Sequence, residues 1–245
     1  MKALSTGLLA FALALASVGA PAAASPAAPV ETRRLMLDGH TAKVDLYAPA
    51  TPPRALAVIA HGFTRSRAQH VVLAERLADA GFLVAVPDLP HWLRHEANAD
   101  ALVALVAEVV AERRLDTLPV VLIGTSAGGL AALLAADRVP RLALWIGLDP
   151  VDAFGQSKDV ARNLRVPAVV LRAPTGACNV GGSARRIADW LPRQRIERRI
   201  DGASHCDFED TTNWRCESVC GPADAARQEL IVTQTVELAR EAVAD

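Results

Sequence analysis

The chain has 245 residues, 51% of them hydrophobic, and a formal net charge of −1 with no long run of like charge. That balance excludes the basic footprint of a nucleic-acid binder or of a protein held on an anionic membrane surface. The length suits one well-buried α/β domain, and no internal repeat or low-complexity tract follows Pro29.

The first residues read as an export leader rather than structure. Lys2 supplies the positive start, GLLAFALALASVGA a short apolar run, and APAAASPA small residues at A-x-A spacing. The run is too short and wrongly flanked for a membrane span. Cleavage is expected after Ala24, with Ala22 as second choice. Residues 25–32 are then an extended lead-in and 33–245 a single domain. No cysteine follows the apolar run to suggest a lipid anchor, and the mature protein is expected to be periplasmic or secreted.

RRLMLDGHTAKVDLYAP then predicts a hairpin, its alternating arms joined by Asp38-Gly39. After it the rhythm changes. ALAVIAHG, FLVAVPDLP, PVVLIGTSAGG, LALWIGLDP and PAVVLRAP are continuous apolar runs, the pattern of parallel strands buried on both faces. Helical stretches separate them: AQHVVLAERLADAG, then NADALVALVAEVVAERRL with Asn98 as its expected cap, GGLAALLAADRV and ARRIADWLPR. RIERRI is a last strand and DAARQELIVTQTVELAREAVA a closing helix. The alternation predicts a doubly wound, mostly parallel sheet with the antiparallel hairpin at its edge.

Chemistry concentrates in VVLIGTSAGGLAALLAA, a strand, then G-T-S-A-G, then a helix. The segment resembles the nucleophile elbow of the α/β-hydrolases. Ser126 must stand on a sharp turn in a strained backbone, and Gly124 and Gly128 let helix and strand approach. The turn also sets the amide of Ala127 at a helix N-terminus, where donors favour negative charge. IAHGFTRSRA, after the first parallel strand, matches the loop that completes an oxyanion hole. Phe63 is its expected donor and His61 a structural prop. Of six histidines only His205 follows Ser126, as the order Ser, acid, His requires, so it is the expected base.

The loop where a catalytic carboxylate often sits, RAPTGACNVGG, has no Asp or Glu. One strand earlier Asp149 stands at a strand tip, before Pro150 and 23 positions after Ser126. The two strand ends would be neighbours at the same sheet edge, within reach of a histidine over the serine. Asp152, Asp207 and Asp88 are rival acids.

Over nearly all of its mature length the chain resembles an α/β-hydrolase. GLDPV is similar to the chlorophyllases, and GLDP also to the pancreatic-type lipases, which take their acid from this earlier position. HGFTRSRAQ resembles the oxyanion segment of bacterial cutinases and polyester hydrolases, whose acid comes from the later loop. A likeness to dienelactone-hydrolase-like members completes the set. GTSAGG departs from the usual GHSRGG of chlorophyllases. The resemblance implies a triad of Ser126, Asp149 and His205, with Phe63 and Ala127 as oxyanion donors.

The segment after Asp149 is too short for a lid, so an open cleft is expected, lined by Phe63, Leu89, His91, Trp92, Phe154 and Trp214. Trp145, inside a strand, reads as core. Four cysteines in an exported chain suggest two disulfides. Three pairings are possible. Cys178 with Cys206 and Cys216 with Cys220 is the pairing preferred here, within a stapled loop CDFEDTTNWRCESVC beside the base. A zinc site is the rival, but it would show tighter spacing and a histidine partner. Asp207, Glu209 and Asp210 offer an alternative cation site.

The expectation is an exported serine hydrolase cleaving carboxylic esters, with a small-molecule, lipid or polymer substrate. No metal or organic cofactor is implied, and a monomer is expected. The alternatives are an amidase or peptidase on the same triad, or a catalytically silent binding protein on this fold.

Overall fold

The structure is a computed structural model that describes residues 30–192 and 195–244. The expected leader and cleavage site lie outside the described residues. Fifteen named elements carry the fold, and strand alternates with helix after the first hairpin. β1 (Val30–Leu37) and β2 (His40–Tyr47) form that hairpin. Its two-residue turn has Asp38 and Gly39 both at positive φ (46° and 77°), the geometry that matches strand twist. β1 begins at Val30, so the last three residues of the expected lead-in belong to the sheet.

There follow β3 (Ala55–Ala60), α1 (Val71–Asp79), β4 (Phe82–Pro87), α2 (His95–Arg113), β5 (Val120–Thr125), α3 (Ala127–Ala135) and β6 (Leu142–Leu148). The chain ends through α4 (Ser157–Asn163), β7 (Ala168–Arg172), α5 (Ser183–Trp190), β8 (Arg195–Arg199), α6 (Trp214–Cys220) and α7 (Ala225–Ala242). The sheet has eight strands in the order β1-β2-β4-β3-β5-β6-β7-β8. β2 runs antiparallel to β1 and β4, and the other pairs are parallel.

Every residue of β3, β4 and β5 is buried, which is why they read as unbroken apolar runs. Successive side chains enter opposite cores. Leu56, Val58 and Ala60 face a core built with α2, α3, α4 and α5. Ala55, Ala57 and Ile59 face a core built with α1 and α7. β8, at the sheet edge, is mostly exposed, and its RIERR sequence suits that place. Trp145 is wholly buried on β6, its indole N–H donating to the Gly129 carbonyl at 3.3 Å.

α2 starts at His95 rather than beside Asn98. Asn98 is instead a buried residue of the first turn. Its side chain accepts from the His91 amide (3.0 Å) and donates to the His91 carbonyl (2.7 Å). A cap residue and a loop clamp need the same short amide, and here the clamp wins.

Candidate active site

β5 and β6 are central neighbours, so their C-terminal ends share one rim of the sheet. At the end of β5, Ser126 adopts φ 55° and ψ −124°, a sparsely populated conformation for a non-glycine residue. Its amide donates to Leu148 O, and its carbonyl accepts from the amides of Gly129 and Val151, all at 3.0 Å, so the turn is held from both strands. The elbow leaves no room beside it. A Cβ on Gly124 would strike the Gly128 carbonyl, and one on Gly128 would strike the carbonyls of Ala60 and His61. The small residues flanking Ser126 are therefore a packing requirement.

At the end of β6, Asp149 also has positive φ (43°) and is fully buried. Its amide donates to Leu171 O at 2.7 Å, and its Oδ1 accepts from the Ala173 amide at 3.2 Å. The loop that lacks a carboxylate thus supplies a donor to the carboxylate one strand away. Asp149 Oδ2 lies 2.6 Å from His205 Nδ1. His205 opens a 3-10 turn, 205–208, whose capping box pairs Ser204 and Asp207. Asp207 also accepts from the Asp224 amide and from Arg227 Nε (2.7 and 2.8 Å). Thr125 Oγ1 donates to Phe208 O at 3.3 Å and ties this loop to β5.

The loop after β3 passes over the same rim. His61 Nδ1 lies 2.8 Å from Gly62 O, and its Nε2 accepts from the Leu89 amide at 2.8 Å. These partners require a neutral ring protonated on Nδ1. Burial lowers its pKa, which keeps it so. A Cβ on Gly62 would lie 3.2 Å from Ser126 Cβ, so a side chain there would press on the serine. The amides of Phe63 and Ala127 donate to no other group among the described residues. Arg65, on this loop, makes a bidentate pair with Glu209 and so joins it to the histidine loop.

Ser126, His205, Phe63 and Ala127 open together onto a cleft of about 560 Å³. Phe154 lines it and is 63% exposed. Leu89, His91 and Trp92 do not. They line a separate cavity of about 40 Å³ shared with the loop of Phe63. The hydrogen bonds of His61 to Leu89 and of Asn98 to His91 hold that segment aside, and Leu93 and His95 reach the cleft instead. The sequence pointed to the right loop and the wrong positions on it. Trp92 packs edge-on against Phe63, with centroids 6.3 Å apart.

Trp214 is also outside the cleft wall. It is 72% exposed, with the Arg215 guanidinium 5.7 Å from its ring centre. The segment expected as a loop is helix α6, started by Asn213, whose side chain accepts from the amides of Arg215 and Cys216. On a helix, Arg215 and Cys216 share a face with Val219 and Cys220, and that face lines the cleft. A cap-like asparagine before WRCE is the signal that would have indicated it.

The disulfides join Cys178 to Cys220 and Cys206 to Cys216, which corrects the expected pairing. With all four cysteines bonded, none is a free thiolate for zinc. The rival acids are occupied elsewhere. Asp88 pairs with Arg67, and Asp207 caps as above. Asp152 accepts from the amides of Phe154, Gln156 and Ser157 and from the Ser157 hydroxyl. Those hydrogen bonds outweigh burial and lower its pKa. Asp210 accepts from the amides of Val72 and Leu73, and Glu209 holds Arg65, so the acidic cluster is already bonded within the protein.

A profile of the alpha/beta hydrolase family matches residues 57–235. The chain belongs to the alpha/beta hydrolase family. Among solved structures it is similar to dienelactone hydrolase from Anabaena variabilis (TM-score 0.66, 19% identity, covering 86% of this chain and 96% of that one). It is also similar to the esterase domain of a Rhodothermus marinus protein (TM-score 0.69, 18% identity, 88% and 100%). Est1E from Butyrivibrio proteoclasticus matches with TM-score 0.68 at 17% identity, covering 87% and 99%. At these identities the likeness is one of fold. No curated protein sequence matches significantly.

Proposed function

We propose that this alpha/beta hydrolase is a serine esterase that cleaves carboxylic esters through an acyl-enzyme. The observation that carries the reading is the 2.6 Å contact of His205 with buried Asp149, in one cleft with Ser126 on its strained turn. Ser126 attacks the acyl carbon as His205 takes its proton. The developing oxyanion is received by the amides of Phe63 and Ala127, whose hydrogens have no competing acceptor. His205 then protonates the leaving alcohol, and water releases the acid by the same route. Asp149 keeps the imidazole in the tautomer that presents Nε2 to the serine and steadies the imidazolium. The cleft is open and partly apolar, which suits the acyl part of an ester. The two disulfides support export, and with it the reading of the first 24 residues as a cleaved leader.

A fluorophosphonate probe with a p-nitrophenyl ester panel tests this. Wild type is expected to label at Ser126 and to turn over esters, and Ser126→Ala to do neither while remaining folded. Folded wild type that resists labelling would overturn the reading. Turnover of amides in preference to esters would replace esterase with amidase.

A further inference from the structure

Two cavities meet at His95. The catalytic cleft and a second cavity of about 380 Å³ have Leu93 and His95 in common. The second cavity is built at the N-terminus of α2, a 19-residue helix, and across from it stands Gln156, at the start of α4. The residue before α2, Arg94, makes no side-chain cap, so the helix's first amides have no side-chain acceptor. His95 is 4% exposed, yet its Nδ1 is buried without a partner. Gln156 Oε1 is buried without a partner as well. Neither side chain has a task in the proposed hydrolysis. Buried polar atoms left in this state call for a ligand or a bound water.

The lining indicates the ligand's chemistry. Arg94 and the helix amides offer donors, and Gln156 Oε1 and Glu96 offer acceptors. Asp100 is already paired with Arg138. An anion would meet Glu96, and a cation would meet Arg94. A hydroxyl, which donates and accepts at once, satisfies both kinds of group.

The position indicates which part of an ester arrives there. The loop after β8 contributes Ala203 and Phe208 to the core of α1 and α7, so His205 stands on that side of the sheet. α2 and α4 belong to the opposite core, so His95 and Phe154 stand on the other side. Their rings pair across 6.0 Å. The leaving alcohol lies at His205, which protonates it. The acyl group therefore runs the other way, past Phe154 and Leu93 to His95.

We infer that the second cavity is an acyl subsite selecting esters whose acyl group has an apolar body and a distal hydroxyl. This rests on the esterase reading above. The test is a chain-length series of methyl alkanoates, each compared with its ω-hydroxylated and ω-carboxylated counterpart. At one chain length the wild type should favour the hydroxylated ester in kcat/KM by roughly five- to tenfold, the worth of one or two hydrogen bonds. Gln156→Leu and His95→Phe should each bring that ratio towards one. Calorimetric binding of the intact esters to Ser126→Ala should show the same preference without turnover.

Equal or lower kcat/KM for the hydroxylated ester at every length would overturn the inference and leave the esterase reading standing. So would a preference for the carboxylated ester, or a ratio that survives in both variants. Preferential binding to Ser126→Ala with no hydrolysis of any ester by wild type would leave the subsite standing and overturn the esterase reading.

Discussion

Backbone strain falls on Ser126 and Asp149, each held at positive φ where a strand ends, and Asp149 is fully buried besides. Such conformations cost about 1–3 kcal/mol each and persist where the surroundings over-determine them. Here they do: Ser126 is held from Leu148, Gly129 and Val151, and Asp149 from Leu171 and Ala173. If Asp149 has the proposed role, Asp149→Asn should lower kcat for a p-nitrophenyl ester by roughly ten-thousand-fold, because an amide favours the wrong imidazole tautomer. Its urea midpoint should move little, since an asparagine carbonyl can still accept from Ala173. Asp152→Asn should do the reverse. It weakens the turn that carries Phe154 and Gln156, so KM should rise while kcat stays within a few-fold of wild type. If Asp152→Asn instead removes turnover and Asp149→Asn does not, the two roles are exchanged. The serine, the histidine and Asp149 were legible as candidates because chain order and strand tips constrain them. Leu89, His91, Trp92 and Trp214 were misplaced because whether a side chain faces the cleft depends on hydrogen bonds from distant residues, such as Asn98 and His61.

Elements were legible where one period dominates: apolar runs for β3 to β7, and helical spacing for α1 and α7. The disulfide pairing was not, because three of the sulfurs, on Cys206, Cys216 and Cys220, lie within 4.8 Å of one another. Sequence spacing cannot separate alternatives that the fold itself brings so close. The observed pairing gives the cleft wall a two-point anchorage. Cys206–Cys216 ties α6 to the residue beside His205, and Cys178–Cys220 ties its other end to the loop after β7. That loop is therefore joined to the histidine loop through α6 rather than directly. Loop-closure entropy assigns about 3 kcal/mol to the ten-residue separation and about 4 kcal/mol to the 42-residue one. Replacing Cys206 and Cys216 together by alanine should lower unfolding free energy by about 3 kcal/mol and also reduce kcat, because the neighbour of His205 loses its anchor. Replacing Cys178 and Cys220 should cost more stability and less turnover. Urea unfolding with parallel ester kinetics checks both, and non-reducing peptide mapping of the wild type checks the pairing itself.

Acid stability is a property of the whole molecule, and two groups beside the core of α1 and α7 set opposing slopes. His70 is 1% exposed with neither ring nitrogen bonded. Burial, with lesser repulsion from His61 and Arg65, pushes its pKa down to about 3. Unfolded, the same ring titrates near 6.5. Between these values the unfolded chain holds a proton that the folded chain does not, so His70 makes stability fall as pH drops through that window. Asp210 behaves oppositely. Burial raises its pKa to about 6, against the hydrogen bonds from Leu73 and Val72. Between about 3.9 unfolded and about 6 folded, the folded chain holds the extra proton, so Asp210 makes stability fall as pH rises. Across that shared range the two slopes offset, each limited to about 1.4 kcal/mol per pH unit. His70→Leu removes only the first. Whatever its offset at pH 7, the variant should gain on wild type by up to about 1.4 kcal/mol for each unit of acidification below 6.5. Urea unfolding of both proteins from pH 7 to pH 4 measures this. Parallel curves would show that His70 takes up its proton in the folded state as readily as in the unfolded one, and that the buried, unbonded imidazole is not what governs acid stability.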